Sequence, residues 1–123
     1  MASSAKIGAY YKARTRRWLE AHGWQVADLE VVRWVGTAGH RFPIKRDQFG
    51  SDLLAMQGPA LMFVQVKGGK SATGNFPEAR RTFAAFTFPP WSTQVVIAWT
   101  PRARFPRVML MRGRTDGENK SSP

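Results

Sequence analysis

The sequence predicts an α/β fold, a β-sheet core flanked by helices, and three observations carry that expectation. Apolar residues recur at helical spacing between Ser4 and His22. Two short apolar runs bracket Gln57-Gly58-Pro59, whose Gly-Pro pair is a turn signal. Thr93 to Trp99 is a near-continuous apolar run, as expected of a strand buried on both faces. With 123 residues and no cysteine, the chain is long enough to bury a core without disulfides or a zinc-thiolate centre. One domain over residues 1–112 and a polar, disordered tail over residues 113–123 are expected.

In chain order, Ser3 or Ser4 caps a first helix running to about His22, and Gly23 stops it. Ile7, Tyr11, Trp18 and Leu19 form its apolar row, and Lys12, Arg16 and Glu20 a second row at spacing four. Trp24 to Val35 alternates and is rich in Val and Trp, which predicts a strand interrupted near Asp28-Leu29-Glu30. Gly36 to His40 is a turn. Arg41 to Arg46, with Pro43 inside it, predicts an irregular or edge segment, since proline cannot donate to a ladder. The hairpin around Gly58 follows, then a mobile loop from Gly68 to Asn75. Pro77 to about Phe86 predicts a helix with Phe83 and Phe86 packing and Arg80 and Arg81 outward, ended by Pro89-Pro90. A basic loop from Pro101 to Pro106 and a last strand from Arg107 to Met111 complete the pattern. Trp91, Trp99 and Phe105 read first as packing residues and only second as rings for base stacking.

The charge balance points to a partner. There are 19 Lys and Arg against 8 Asp and Glu, a net +11, and the arginine fork suits phosphate. Nucleic acid is the leading candidate, with Arg14, Arg16, Arg17, Lys45, Arg46, Lys70, Arg80 and Arg81 as candidate contacts. No segment approaches a membrane span and the N-terminus lacks an apolar leader core, so a soluble, cytoplasmic protein without membrane contact is expected. Glycine patterns for nucleotide binding are absent, and His22 and His40 lack partners at metal-ligand spacing.

The hairpin holds the polar residues of interest. Alternate strand residues share a face, so Gln65 and Lys67 emerge together while Val64 and Val66 enter the other side. Asp52 opens the neighbouring strand. A carboxylate, an amide oxygen and an ammonium would converge there, and a hard divalent cation fits between the first two. The plain alternative is a solvated strand face carrying unrelated polar residues.

The element order and these residues resemble the restriction-endonuclease-like nuclease superfamily, whose signature is Asp followed by Asp/Glu-x-Lys on adjacent strands. Within it the chain is most similar to archaeal-type Holliday junction resolvases and their phage-borne relatives. The pieces are Trp18-Leu19-Glu20-Ala21-His22-Gly23-Trp24, Phe49-Gly50-Ser51-Asp52-Leu53-Leu54-Ala55 and Phe63-Val64-Gln65-Val66-Lys67. The resemblance implies a mixed β-sheet core flanked by helices, with Asp52 as principal ligand of Mg²⁺ or Mn²⁺, Gln65 as second ligand and Asp47 as a further carboxylate. Lys67 would position the attacking water and balance charge at the phosphate. It further implies cleavage of branched DNA to a 3′-hydroxyl and 5′-phosphate by a homodimer.

Two departures stand out. Gln65 occupies a position where the family usually has Glu, although some transposon-end-cutting subunits that it resembles use Gln-x-Lys. Lys12 falls where many resolvases carry an acid in the first helix. Both remove negative charge and imply weaker Mg²⁺ binding. Two other readings fit the same residues: a nucleic-acid-binding protein that keeps the fold without catalysis, and a basic structural or ribosome-associated protein.

Overall fold

The computed structural model describes residues 4–47, 49–111 and 114–115, with the side chains of 4–6, 30–34, 42–47, 75 and 114–115 excepted. The elements are α1 (Ser4–Ala21), β1 (Gln25–Asp28), β2 (Glu30–Val35), β3 (Phe42–Asp47), β4 (Leu53–Gln57) and β5 (Ala60–Gly68), followed by α2 (Phe76–Ala84), β6 (Thr87–Phe88), β7 (Thr93–Trp99), β8 (Arg107–Met111) and β9 (Arg114–Thr115). A five-stranded sheet in the order β1-β4-β5-β7-β8 forms the centre. It is mixed: β5 and β7 run parallel, and the other neighbours antiparallel.

Strand alternation builds a core on each face of this sheet. Leu19 of α1 packs with Leu53, Ala55, Val64, Val95, Ile97 and Trp99, while Phe76, Ala79 and Phe83 of α2 pack with Phe88, Val96, Ala98 and Met111. A parallel pair needs a crossover connection, and α2 supplies it between β5 and β7. Because β7 meets a helix layer on each side, Gln94 to Trp99 are all buried, as the apolar run predicted.

The predicted interruption near Leu29 is a change of sheet. β1 joins the central sheet, whereas β2 pairs with β3 in a separate two-stranded ribbon, from Glu30 opposite Asp47 to Val35 opposite Phe42. The segment with Pro43, expected to be irregular or an edge, is thus an edge strand and regular along its length. A two-stranded ribbon leaves an outer edge on each strand, which accommodates a residue without an N–H. The tail expected from residue 113 lies outside the described residues except for Arg114–Thr115, which pair with Thr87–Phe88. Among the described residues no helix is long and apolar enough to cross a membrane.

Candidate functional site

The chain reaches Asp52 through a tight turn. Phe49 and Gly50 take left-handed φ values of 56 and 67, and Ser51 Oγ donates to the Phe49 carbonyl at 3.1 Å. A bulky residue seldom adopts such a φ; here the Phe49 ring is held edge-on to Phe63 and Phe86. Gly50 answers a second demand, since a Cβ there would lie 2.8 Å from Thr82 of α2.

Hydrogen bonds to Val64, Leu29 and Val66 help to fix Asp52. Its N–H donates to the Val64 carbonyl at 2.8 Å, and its carbonyl accepts from the Leu29 N–H at 2.9 Å. Its Oδ2 accepts from the Val66 N–H at 2.7 Å, the short distance typical of a charge-assisted bond. With its backbone carbonyl turned to Leu29, the carboxylate receives the β5 N–H and is held at the peptide joining Gln65 to Val66.

Gln65 and Lys67 lie on the α2 face of β5. Val64 and Val66 belong to the α1 core and Phe63 packs against the α2 core, so alternation puts Gln65 and Lys67 with Phe63. Leu53 pairs with Val64, and Asp52 precedes Leu53 outside the ladder, where its N–H bonds the Val64 carbonyl and its Oδ2 the Val66 N–H, so the residue lies against the backbone on either side of Gln65. Gln65 is only 5% exposed, and among the described residues its amide has no hydrogen-bond partner. Among the described residues no side-chain nitrogen or oxygen is both fully buried and unpaired, so the Gln65 amide keeps some contact with solvent. Lys67 is half-buried, and among the described residues its ammonium has no ion pair. The three residues are therefore brought to one end of one hairpin.

The end of β5 is locked to α1 by close approach. A Cβ on Gly68 would lie 2.0 Å from the Tyr11 ring, so only glycine lets helix and strand meet there. Gly68→Ala is expected to lower stability by about 1–3 kcal/mol through overpacking. Denaturant melts of Gly68→Ala, Tyr11→Ala and the pair check this, and the double variant should recover much of the loss.

The other predicted residues are distributed. The Lys12 ammonium, at the helix position where the resemblance implies an acid, contacts Asp28 Oδ2 at 2.8 Å. Asp47, Lys45 and Arg46 lie on β3 and their side chains fall outside the described residues. Backbone register nonetheless puts Asp47 opposite Glu30, next to the Leu29 that bonds Asp52. Glu20 contacts Arg16 at 3.5 Å, and Arg16 also donates to the Val26 carbonyl at 3.0 Å. Arg14 stacks on Trp99 and donates to the Ala103 carbonyl. Arg17, Lys70, Arg80 and Arg81 are exposed. Among the described residues no group of three His, Asp or Glu side chains is placed to hold a metal ion.

No protein-family model matches this sequence, and no curated protein matches it. Solved structures do. The crystal structure of the protein designated SSO0001 superposes with a TM-score of 0.56 at 15% identity, over 94% of this chain and 55% of that one. Hjc of Archaeoglobus fulgidus, a Holliday junction resolvase from an archaeal hyperthermophile, superposes with a TM-score of 0.50 at 22% identity, over 84% of this chain and 76% of that one. The chain thus spans a little over half the length of SSO0001. At these identities the likeness establishes the fold: the mixed sheet with its two flanking helices is restriction-endonuclease-like, as the sequence led us to expect.

Proposed function

We propose that the protein is a divalent-metal-dependent endonuclease acting on branched DNA such as a Holliday junction, with Asp52, Gln65 and Lys67 at its centre. The observation that carries the proposal is the Asp52 carboxylate held at the peptide that joins Gln65 to Val66, next to a nearly enclosed Gln65 whose amide has no hydrogen-bond partner among the described residues. The likeness to a junction resolvase and the net charge of +11 support a DNA substrate.

The donor set fits Mg²⁺ or Mn²⁺. Asp52 and Gln65 offer one carboxylate and one amide oxygen, both hard donors, and Mg²⁺ is commonly bound through one or two carboxylates while keeping several waters. Asp47 is proposed as a further carboxylate, directly or through water. When bound, the cation would supply Lewis-acid polarisation of the phosphate and lower the pKa of a coordinated water. Asp52 and Gln65 hold and orient the site. Lys67, without an ion pair among the described residues, stabilises the negative charge that grows on the phosphate oxygens. Water oxygen bonds to phosphorus in line, the bond from phosphorus to O3′ breaks and O3′ takes a proton. The products are a 3′-hydroxyl and a 5′-phosphate. Resolving a junction takes paired cuts, so a two-fold homodimer is part of the proposal.

A second reading, a DNA-binding protein without catalysis, is favoured by one observation: Lys12 and Gln65 both leave the site short of negative charge. A nicking assay on junction, flap and duplex DNA, with Mg²⁺, Mn²⁺ or chelator, separates the two. Metal-dependent cuts near the branch, ending in 5′-phosphate, are expected. Tight junction binding with no cleavage under either metal would establish the second reading.

A further inference from the structure

The loop joining β7 to β8 leaves the sheet at the same end as Lys67, a placement decided by strand register. β5 and β7 are parallel with Gly68 opposite Trp99, and the Gly69 N–H donates to the Trp99 carbonyl at 2.9 Å. Residues 100–106 therefore leave the sheet at the same end as Lys67 and Lys70, one strand spacing away, about 5 Å. They carry Arg102 and Arg104, both exposed, and Phe105, whose side chain is 71% exposed. Among the described residues neither arginine has an ion pair or side-chain hydrogen bond.

The backbone beneath these side chains is braced. Ala103 N–H donates to the Thr100 carbonyl at 3.1 Å, and Arg14 Nη2 donates to the Ala103 carbonyl at 2.7 Å. The Arg14 guanidinium lies 4.2 Å from the Trp99 ring centroid, and Trp99 Nε1–H donates to the buried Thr15 hydroxyl at 2.8 Å. Arg102 is held at a φ of 65, a left-handed conformation that a non-glycine residue rarely adopts. Because the backbone beneath them is anchored, two guanidinium groups without partners among the described residues and an exposed ring pay side-chain ordering but little loop ordering when they meet a ligand. Guanidinium suits phosphate, and an aromatic face suits an unstacked base.

We infer that this loop is a DNA-contacting element in which Arg102 and Arg104 bind backbone phosphates beside the cleavage site and Phe105 stacks on an unpaired base at the branch. The inference rests on the nuclease reading for its ligand.

The test is fluorescence anisotropy of the full chain on a four-way junction and on a duplex of the same arm sequence, across a KCl series, with Ca²⁺ replacing Mg²⁺. The double variant Arg102→Ala/Arg104→Ala should lower the slope of log K against log salt by about 1.8, two contacts at about 0.9 each. Arg102→Lys/Arg104→Lys should keep the slope. Phe105→Ala should leave the slope alone and cut the preference for junction over duplex about tenfold, the size of one stacked base, whereas Phe105→Trp keeps it. An unchanged slope in a double variant with normal melting overturns the phosphate contacts. Equal loss on junction and duplex, or an altered oligomeric state in Phe105→Ala, overturns the stacking. Stronger retention on anionic lipid vesicles than on DNA, lost in the double variant, overturns the ligand. Failure here is distinguishable from failure of the nuclease reading: cleavage with an unmoved slope removes only the loop, and a moved slope without cleavage removes only the catalysis.

Discussion

Asp52→Asn is expected to remove metal-dependent cleavage by on the order of 10²-fold or more, the usual loss when one preorganised electrostatic contact to a reacting group is deleted. The fold should survive, because an asparagine oxygen can still accept the Val66 N–H that Oδ2 accepts at 2.7 Å. What disappears is the negative charge. Asp52→Ala is the informative contrast: it also strips the Val66 N–H of its acceptor, which costs about 1–3 kcal/mol for a group shielded from water. The pair of variants, read by nicking rate and by thermal melting, separates charge from scaffold. Full activity in Asp52→Asn would remove Asp52 from the proposed site.

Gln65→Glu should move stability and metal affinity in opposite directions. The side chain is only 5% exposed, so an ionised carboxylate there, next to the peptide that the Asp52 carboxylate bonds, sets two like charges near one another at an enclosed position. Without divalent cation the variant should lose about 1–3 kcal/mol, the scale of a buried polar group left uncompensated. With Mg²⁺ the added anionic oxygen should tighten binding, so titration should raise the melting temperature of the variant more than that of the wild type. A metal-independent melting temperature in both proteins would argue against a cation between these two residues.

Much of this arrangement is legible from local pattern. The Pro–Gly punctuation around Gly58 marks the hairpin, and strand alternation puts Gln65 and Lys67 on the face opposite Val64 and Val66, as the two cores bear out. The apolar row of α1 and the buried run of β7 are likewise periodic signals. The segment with Pro43 is less legible: Asp28-Leu29-Glu30 marks a break in the chain, but that β2 beyond it leaves the central sheet and pairs with the Pro43 segment is a long-range register. Helix spacing alone makes Arg14 and Arg16 candidate phosphate contacts and carries no sign of their partners within the fold. In the fold Arg14 braces Ala103, and Arg16 is engaged by Glu20 and the Val26 carbonyl.

The sequence by itself determined the α/β class, the strong positive charge, the hairpin and the shared face of Gln65 and Lys67. All of these depend on residue type and on spacing over a few positions. The tertiary structure alone decided that the Asp52 side chain receives a β5 backbone N–H, that Gln65 is nearly enclosed, that Lys12 turns to Asp28 and that residues 100–106 leave the sheet at the same end as Lys67. Each of those is a contact between segments distant in the chain, set by the parallel register of β5 on β7 and by which helix covers which face. Periodicity along the chain carries no record of that register.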